Sequence, residues 1–269
     1  MGEFDGKFPK WRRASQRWVF FLYESPLHSF RFINHKVLFN MSATYRLSSN
    51  TTSLYFQQNP FYWKLNEKFN EKQNFLEGKK DFAAIVVSNC NDKSNRLKLV
   101  NELKKYIPVT IFGKCGIPCP NKWNGQIESD ACKLNIVKNY KFYFSFENSI
   151  CKDYITEKFF EIIKYNIIPI VLGGGDYSQY IPKSGYINAL NYGQPKDLAN
   201  YLKYLSKNET AYNSFFEWKK HVIFDNTISG GHICEFCIIM NLDAYKDKIE
   251  TNNIGNLKNF WNEEKDCKI

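Results

Sequence analysis

The 269-residue chain predicts an α/β domain built on a doubly wound parallel sheet. One observation is a rhythm, starting at Asp81, of short continuous apolar runs alternating with amphipathic stretches, the pattern of strands buried on both faces and helices covering them. A second is that polar and charged residues gather at the strand-to-helix turns, where such sheets bind ligands. A third is composition: 43% hydrophobic and 17% aromatic residues supply a substantial core and exclude global disorder.

Residues 1–17 are polar and basic without a clear period, and residues 17–23 read as a strand that ends at Glu24-Ser-Pro26, where proline forces an exit. Residues 27–60, rich in Asn, Ser and Thr, read as loops around short strands. Residues 63–72 have helical polarity, followed by a linker at Gly78-Lys-Lys80. The regular alternation then places strands at 82–87, 109–112, 142–146, 167–172 and 186–190. Helices are expected at 96–106, where Leu97, Val100 and Leu103 share a face, at 156–165, and at 195–205 with proline at the first position.

The formal charge of +10 favours anionic partners: nucleic acid, an anionic membrane surface or a phosphorylated small ligand. Its Lys and Arg residues are dispersed, so nucleic acid is not expected as a partner. No apolar run reaches the roughly 18 residues of a membrane helix, and the first residues do not form a signal peptide. Eight cysteines fit disulfides in an oxidising lumen, as do the sequons at Asn40, Asn50 and Asn208. Cys234-Glu-Phe-Cys237 with His232 leaves a zinc site as the competing reading, although no second pair matches that spacing. The four histidines show no paired helical spacing and there is no Asp-x-Asp, so no metal is assigned.

Ser88-Asn89 at a strand end, with Arg96 at the start of the next helix, suit a phosphate; ordinary capping and surface residues would look the same. The stretch Glu147-Asn-Ser-Ile-Cys-Lys-Asp-Tyr-Ile-Thr-Glu-Lys158 crowds charge and aromatics before an apolar helix. Thr156 as N-cap places Glu157 and Lys158 in the first turn, where the helix dipole disfavours a lysine unless an anion compensates it. A diphosphate would be such an anion, and Glu157 would accept hydrogen bonds from sugar hydroxyls. Gly173-Gly-Gly175 resembles a phosphate-cradling loop only loosely.

From Tyr140-Lys-Phe-Tyr-Phe-Ser-Phe-Glu-Asn-Ser-Ile-Cys-Lys-Asp-Tyr-Ile-Thr-Glu-Lys158 onward, the chain resembles the eukaryotic α1,3-fucosyltransferases. Ile168-Pro-Ile-Val-Leu-Gly173, Pro195-Lys-Asp-Leu-Ala199, residues 212–219, and upstream residues 18–26 with Tyr45-Arg46 fit the same family in the same order. The resemblance implies a GT-B arrangement: a C-terminal Rossmann-like sheet facing an N-terminal Rossmann-like acceptor domain. It implies an inverting transfer of L-fucose from GDP-β-L-fucose to the 3-hydroxyl of a GlcNAc residue in a glycan or glycoprotein acceptor. Glu24 would be the base, and Arg96 and Lys158 would balance the diphosphate. Ser88, Asn89, Tyr143, Asn148, Tyr154 and Glu157 would hold the nucleotide sugar, with Tyr45, Arg46 and Tyr55 approaching from the other domain.

The same resemblance implies that no cofactor is required, with Mn²⁺ at most stimulatory, and a Golgi-lumenal site reached through an N-terminal membrane anchor. Cys115, Cys119, Cys132 and Cys151 resemble the branch acting on the protein-linked GlcNAc of N-glycans, and Cys234 and Cys237 match a C-terminal CxxC that is disulfide-bonded in the family. The anchor, the stem and most of the acceptor domain are expected to be missing here. Residues 1–75 then read as a truncated acceptor domain with an exposed apolar edge along residues 19–22, 76–225 as the GDP-fucose-binding domain, and 226–269 as the CxxC segment and tail. Three rival readings remain: a catalytically inactive nucleotide-sugar or glycan-binding module, a structural lumenal protein that uses the fold as a scaffold, and a GT-B transferase that uses another nucleotide sugar.

Overall fold

The computed structural model describes residues 11–13, 16–29, 39–52, 54–58, 60–119, 122–123, 126–127, 131–224, 231–241 and 257–268. At its centre five parallel strands lie in the spatial order Val109–Phe112, Asp81–Val86, Tyr140–Phe146, Ile168–Leu172, Ile187–Asn188. Numbered along the chain this order is 2-1-3-4-5, a doubly wound sheet whose direction of winding reverses between its first and third strands. The expected strands are therefore present, the fifth shortened to Ile187–Asn188 and followed by a 3₁₀ turn at Ala189–Asn191.

Continuous apolar runs form these strands because both faces are covered; all five residues of Ile168–Leu172 are buried. The register Phe142↔Ile168, Phe144↔Ile170, Phe146↔Leu172 stacks one layer of side chains against Val100 and Leu103 of the helix Arg96–Leu103 and Leu198, Ala199 and Leu202 of the helix Pro195–Leu205. Ala84 and Tyr143 point to the opposite face, onto Ile136 of the helix Ala131–Asn139 and onto Ile162. Truncating a ring of this core, such as Phe144, would cost about 3–5 kcal/mol. The helix expected at 156–165 is regular α over Glu157–Phe160 and continues as turns.

Residues 63–72 are not a helix. Phe61–Trp63 is a strand paired antiparallel with Val222–Phe224, and turns follow it. Asn66, Asn70 and Asn74 each accept a hydrogen bond from the backbone N–H two residues on, that of Lys68 (3.2 Å), Lys72 (3.0 Å) and Leu76 (3.0 Å). These Asx turns satisfy the backbone locally and compete with the helical ladder.

The N-terminal strand Val19–Leu22 pairs in parallel with Met41–Thr44. Its expected apolar edge is half covered: Phe21 is 47% exposed, whereas Phe20 is 5% exposed and packs edge-on against Trp261 at 5.4 Å. Among the sequons, Asn40 is buried and accepts from the Trp18 N–H (2.9 Å), Asn50 is exposed and accepts from the Ser42 N–H (2.9 Å), and Asn208 caps the helix Glu209–Asn213.

The cysteine expectations need correction. The disulfides are Cys90–Cys115, Cys119–Cys132 and Cys151–Cys267, while Cys234 and Cys237 are free and exposed on the helix Gly231–Asn241. Residues three apart on a helix hold their Cβ atoms about 5–6 Å apart, wider than the roughly 3.5–4.5 Å of a disulfide. Cys90 and Cys267 were absent from the expected set because connectivity is a tertiary fact. Among the described residues no group of three His, Cys, Asp or Glu could hold a metal ion.

The Cys151–Cys267 bridge spans 116 residues and ties 257–268 to the loop after the central strand. Cys267→Ser is expected to lower unfolding stability by about 2–5 kcal/mol in denaturant titration. Fluorescence of Trp261 should report loosening of this segment ahead of the sheet.

Candidate active site at the sheet switch point

Ligands of doubly wound sheets bind beyond the carboxyl ends of the strands where the winding reverses. Here that place lies between the loops following Asp81–Val86 and Tyr140–Phe146. The two loops are fastened to each other. The Lys93 and Ser94 N–H groups donate to the Asn148 carbonyl (3.0 and 3.1 Å), and Ser94 Oγ donates to the Glu147 carbonyl (2.6 Å).

Arg96 does start a helix, but its guanidinium side chain is 3% exposed and turned inward. It donates to the carbonyls of Phe146 (3.1 Å) and Asn89 (3.2 Å), and lies 3.4 Å from Asp92 Oδ2. Arg96 therefore pins the two loops together and meets protein atoms. The preceding Asn95 takes a left-handed φ of 57°, which its short polar side chain tolerates. Ser88 and Asn89 stand exposed at the strand end.

The segment after Phe146 is shaped by a carboxylate that the sequence reading passed over. Glu147 is fully buried; Oε1 accepts from the Thr156 N–H (2.8 Å) and Oε2 from Thr156 Oγ1 (2.7 Å). Thr156 is the N-cap, as expected, with its hydroxyl accepting from the Lys158 N–H. The Lys158 ammonium lies 3.0 Å from Thr156 Oγ1, 2.8 Å from Glu157 Oε1 and 3.7 Å from Glu147 Oε2. The anion that compensates Lys158 in this structure is thus the chain's own Glu147–Glu157 pair. Burial pushes the Glu147 carboxyl up to about 7, against the pull of Lys158. Burial also works against charge on Lys158 and Glu157, but their mutual attraction prevails, holding the lysine above and the glutamate below their ordinary values.

The triglycine after Ile168–Leu172 seats this loop. A Cβ at Gly174 would stand 2.4 Å from the Cys151 carbonyl oxygen, and Lys152 and Gly174 form a parallel bridge. Only glycine permits this approach, so the run serves loop packing within the chain. Asp153, at φ 62°, completes the bend and receives the Leu47 N–H at 3.4 Å.

Glu24 meets the same loop from the N-terminal segment. Its Oε2 accepts from Asn148 Nδ2 and from the Tyr154 hydroxyl, both at 3.3 Å, while Ser25 and Ser149 share a hydroxyl contact of 2.7 Å. His28 Nε2 stands 3.5 Å from the Asn148 carbonyl. Tyr55 donates to the Tyr23 carbonyl (3.2 Å), and Tyr45 packs edge-on against Tyr154 at 4.6 Å. Arg46 pairs with Asp266 at 2.7 Å and lies over the Phe260 ring, facing the 257–268 segment. Of the expected residues, Asn148 and Tyr154 of the loop and Glu157 and Lys158 at the helix start that follows it thus gather with Glu24 of the N-terminal segment, with Ser88 and Asn89 at the neighbouring strand end. Tyr143 is held inside the sheet's covered face against the Val86 backbone. Glu147, Asp92 and Ser94 were missed; a carboxylate directly after an apolar run buried on both faces was the available signal for the first.

Residues 76–259 match the family model for the glycosyltransferase family 10 (fucosyltransferase) C-terminal region, and residues 3–56 the fucosyltransferase N-terminal model. The chain is 36% identical over 230 residues to glycoprotein 3-alpha-L-fucosyltransferase A of Drosophila melanogaster, covering 83% of this chain and 44% of that protein. It is 33% identical over 258 residues to human 4-galactosyl-N-acetylglucosaminide 3-alpha-L-fucosyltransferase 9, covering 93% of this chain and 66% of that protein. It therefore spans about half to two thirds of these relatives' length. In structure it is similar to a solved alpha1,3-fucosyltransferase with GDP-fucose, at a TM-score of 0.57 and 18% identity over 86% of this chain and 77% of that one, which supports the GT-B-type α/β fold. On the family match across the sheet and its site loops, the chain belongs to glycosyltransferase family 10, the fucosyltransferases.

Proposed function

We propose that this chain carries the donor site and the base of an inverting α1,3-fucosyltransferase that moves L-fucose from GDP-β-L-fucose to the 3-hydroxyl of a GlcNAc residue. The observation that carries the proposal is the placement of Glu24. A carboxylate from the N-terminal segment is held by Asn148 and Tyr154, which belong to the same loop as Glu157 and Lys158. That puts a base beside the group best suited to a diphosphate, the pairing that an in-line displacement requires.

Both donors to Glu24 bind Oε2, so Oε1 takes the proton of the acceptor hydroxyl. The acceptor oxygen forms its bond to fucose C1 as the bond from C1 to the diphosphate oxygen breaks on the opposite face, converting β to α. The leaving GDP carries away the electron pair, and its charge is met by Lys158. Glu157 accepts from ribose or fucose hydroxyls, and Ser88 and Asn89 line the nucleotide's path at the strand end. Arg96 acts through the two loops that it fastens, and Tyr45, Arg46 and Tyr55 form the supporting wall.

A division near residue 75 into acceptor-domain and donor-domain segments is supported by one family model ending at residue 56 and the other starting at residue 76; the second model runs on through 225 to 259, so the separate tail segment from 226 draws no support from it. A Golgi-lumenal setting is supported by three disulfides. No helix among the described residues is long and apolar enough to cross a membrane. A glycoprotein GlcNAc acceptor follows the Drosophila relative's name, and a galactosylated GlcNAc follows the human one's.

Calorimetric titration with GDP-fucose tests the donor site: Lys158→Ala is expected to weaken binding about 10- to 100-fold. Glu24→Gln is expected to keep donor affinity within about twofold while cutting transfer to GlcNAc glycans by about 10²–10⁴-fold in a radiolabel assay, with EDTA leaving the wild-type rate in place. Donor binding without transfer by the wild type would mark a binding module, and no binding by folded protein would overturn the reading.

A further inference from the structure

The cluster at the switch point has the wrong sign for its proposed ligand. Glu24, Glu147 and Glu157 bring three carboxylates to one loop, and the ion pairs of Glu147 and Glu157 are both made with Lys158. The two nearby guanidinium groups are committed elsewhere, Arg96 to Asp92 and Arg46 to Asp266. A diphosphate arriving here adds negative charge to a group of like charges around a single ammonium, which opposes binding unless a negative charge is removed.

Glu147 is where it can be removed. Its carboxylate is fully buried, so it cannot exchange Lys158 for water, whereas the Glu157 side chain is 39% exposed and can turn outward to a sugar hydroxyl. Protonation keeps the Thr156 N–H bond to Oε1 and reverses the other one: the proton on Oε2 is donated to Thr156 Oγ1, which has a lone pair free for it once the Lys158 ammonium turns away to the diphosphate. The groups that face it are Lys158 and Glu157 from the turn after Thr156, Tyr154 from the loop, Tyr55 from the N-terminal segment, and Tyr177 behind Gly173. None of the three tyrosines offers a charge near neutrality, because burial pushes each phenol far up.

We propose that Glu147 is a positioning residue, the internal counter-ion of Lys158, and that the donor's diphosphate takes over the lysine while Glu147 takes up a proton. In the empty site Glu147 holds the ammonium in place; in the occupied site the proton on Glu147 prevents it from competing. Donor binding is then proton-linked, strengthening as pH falls through about 7 and weakening as pH rises above it. This rests on the donor-site reading given above.

The test is titration of GDP-fucose into the whole chain between pH 6 and 8, in buffers of differing ionisation heat, which counts the protons taken up. The diphosphate of GDP-fucose is esterified at both ends and does not itself titrate near neutrality, so the counted protons land on protein. Wild type is expected to take up about half a proton at pH 7 and to lose up to about tenfold in affinity per pH unit above it. Glu147→Gln, which keeps the bond to the Thr156 N–H, is expected to bind with almost no uptake and a flat pH profile, at a thermal midpoint that shows it folded. Equal uptake in both proteins, or none in wild type, overturns the proposal while leaving the donor site standing. No heat of binding in either folded protein overturns both.

Discussion

The bond between Glu147 and Thr156 is the constraint on which the site depends. It closes the loop from Glu147 to Thr156 after the central strand, sets the start of the helix Glu157–Phe160, and fixes where the Lys158 ammonium stands. Breaking a buried hydrogen bond to a charged group typically costs about 1.5–3 kcal/mol, because the remaining partner stays desolvated. Other contacts depend on the same loop: Asn148 and Tyr154 reach Glu24 from it, Ser94 latches onto the Glu147 carbonyl, and Gly174 lies against its backbone. A shift of this loop would therefore move the base, the lysine and the neighbouring strand-end loop together.

The two-sided burial of the central strands made the sheet legible from residue order alone, since Ile168–Leu172 and Tyr140–Phe146 carry apolar residues at almost every position. Thr156 and Lys158 were legible for a local reason: an N-cap oxygen and a first-turn charge act within one helical turn. The identity of the compensating anion was not, because Glu147 reaches Lys158 only after the loop has folded against Gly173–Gly175. Arg96 illustrates the same boundary. Its position was readable, but whether its guanidinium faced a ligand or Asp92 depended on a loop conformation with a left-handed residue.

Long-range pairing accounts for the remaining differences. Residues 61–63 joined 222–224, more than 150 positions away, and three asparagines at four-residue spacing turned the following stretch into Asx turns. Cys267 found Cys151 through an antiparallel pairing of Cys267–Lys268 with Ile150–Cys151, a contact that no local pattern announces. Cys234 and Cys237 matched a motif and lie on one helical turn as free thiols.

The bridge between Cys151 and Cys267 also sets an order of events during biosynthesis. The loop bearing Asn148, Tyr154 and Lys158 leaves the ribosome long before its clamp does, because Cys267 follows Cys151 by 116 residues, and an oxidant has still to be met. Until then the sheet can form while the site loop lacks the strand and the Arg46–Asp266 pair that brace it. The covalent clamp on the site loop is therefore the last of the three bridges whose second cysteine is synthesised, and it closes only where an oxidant is present.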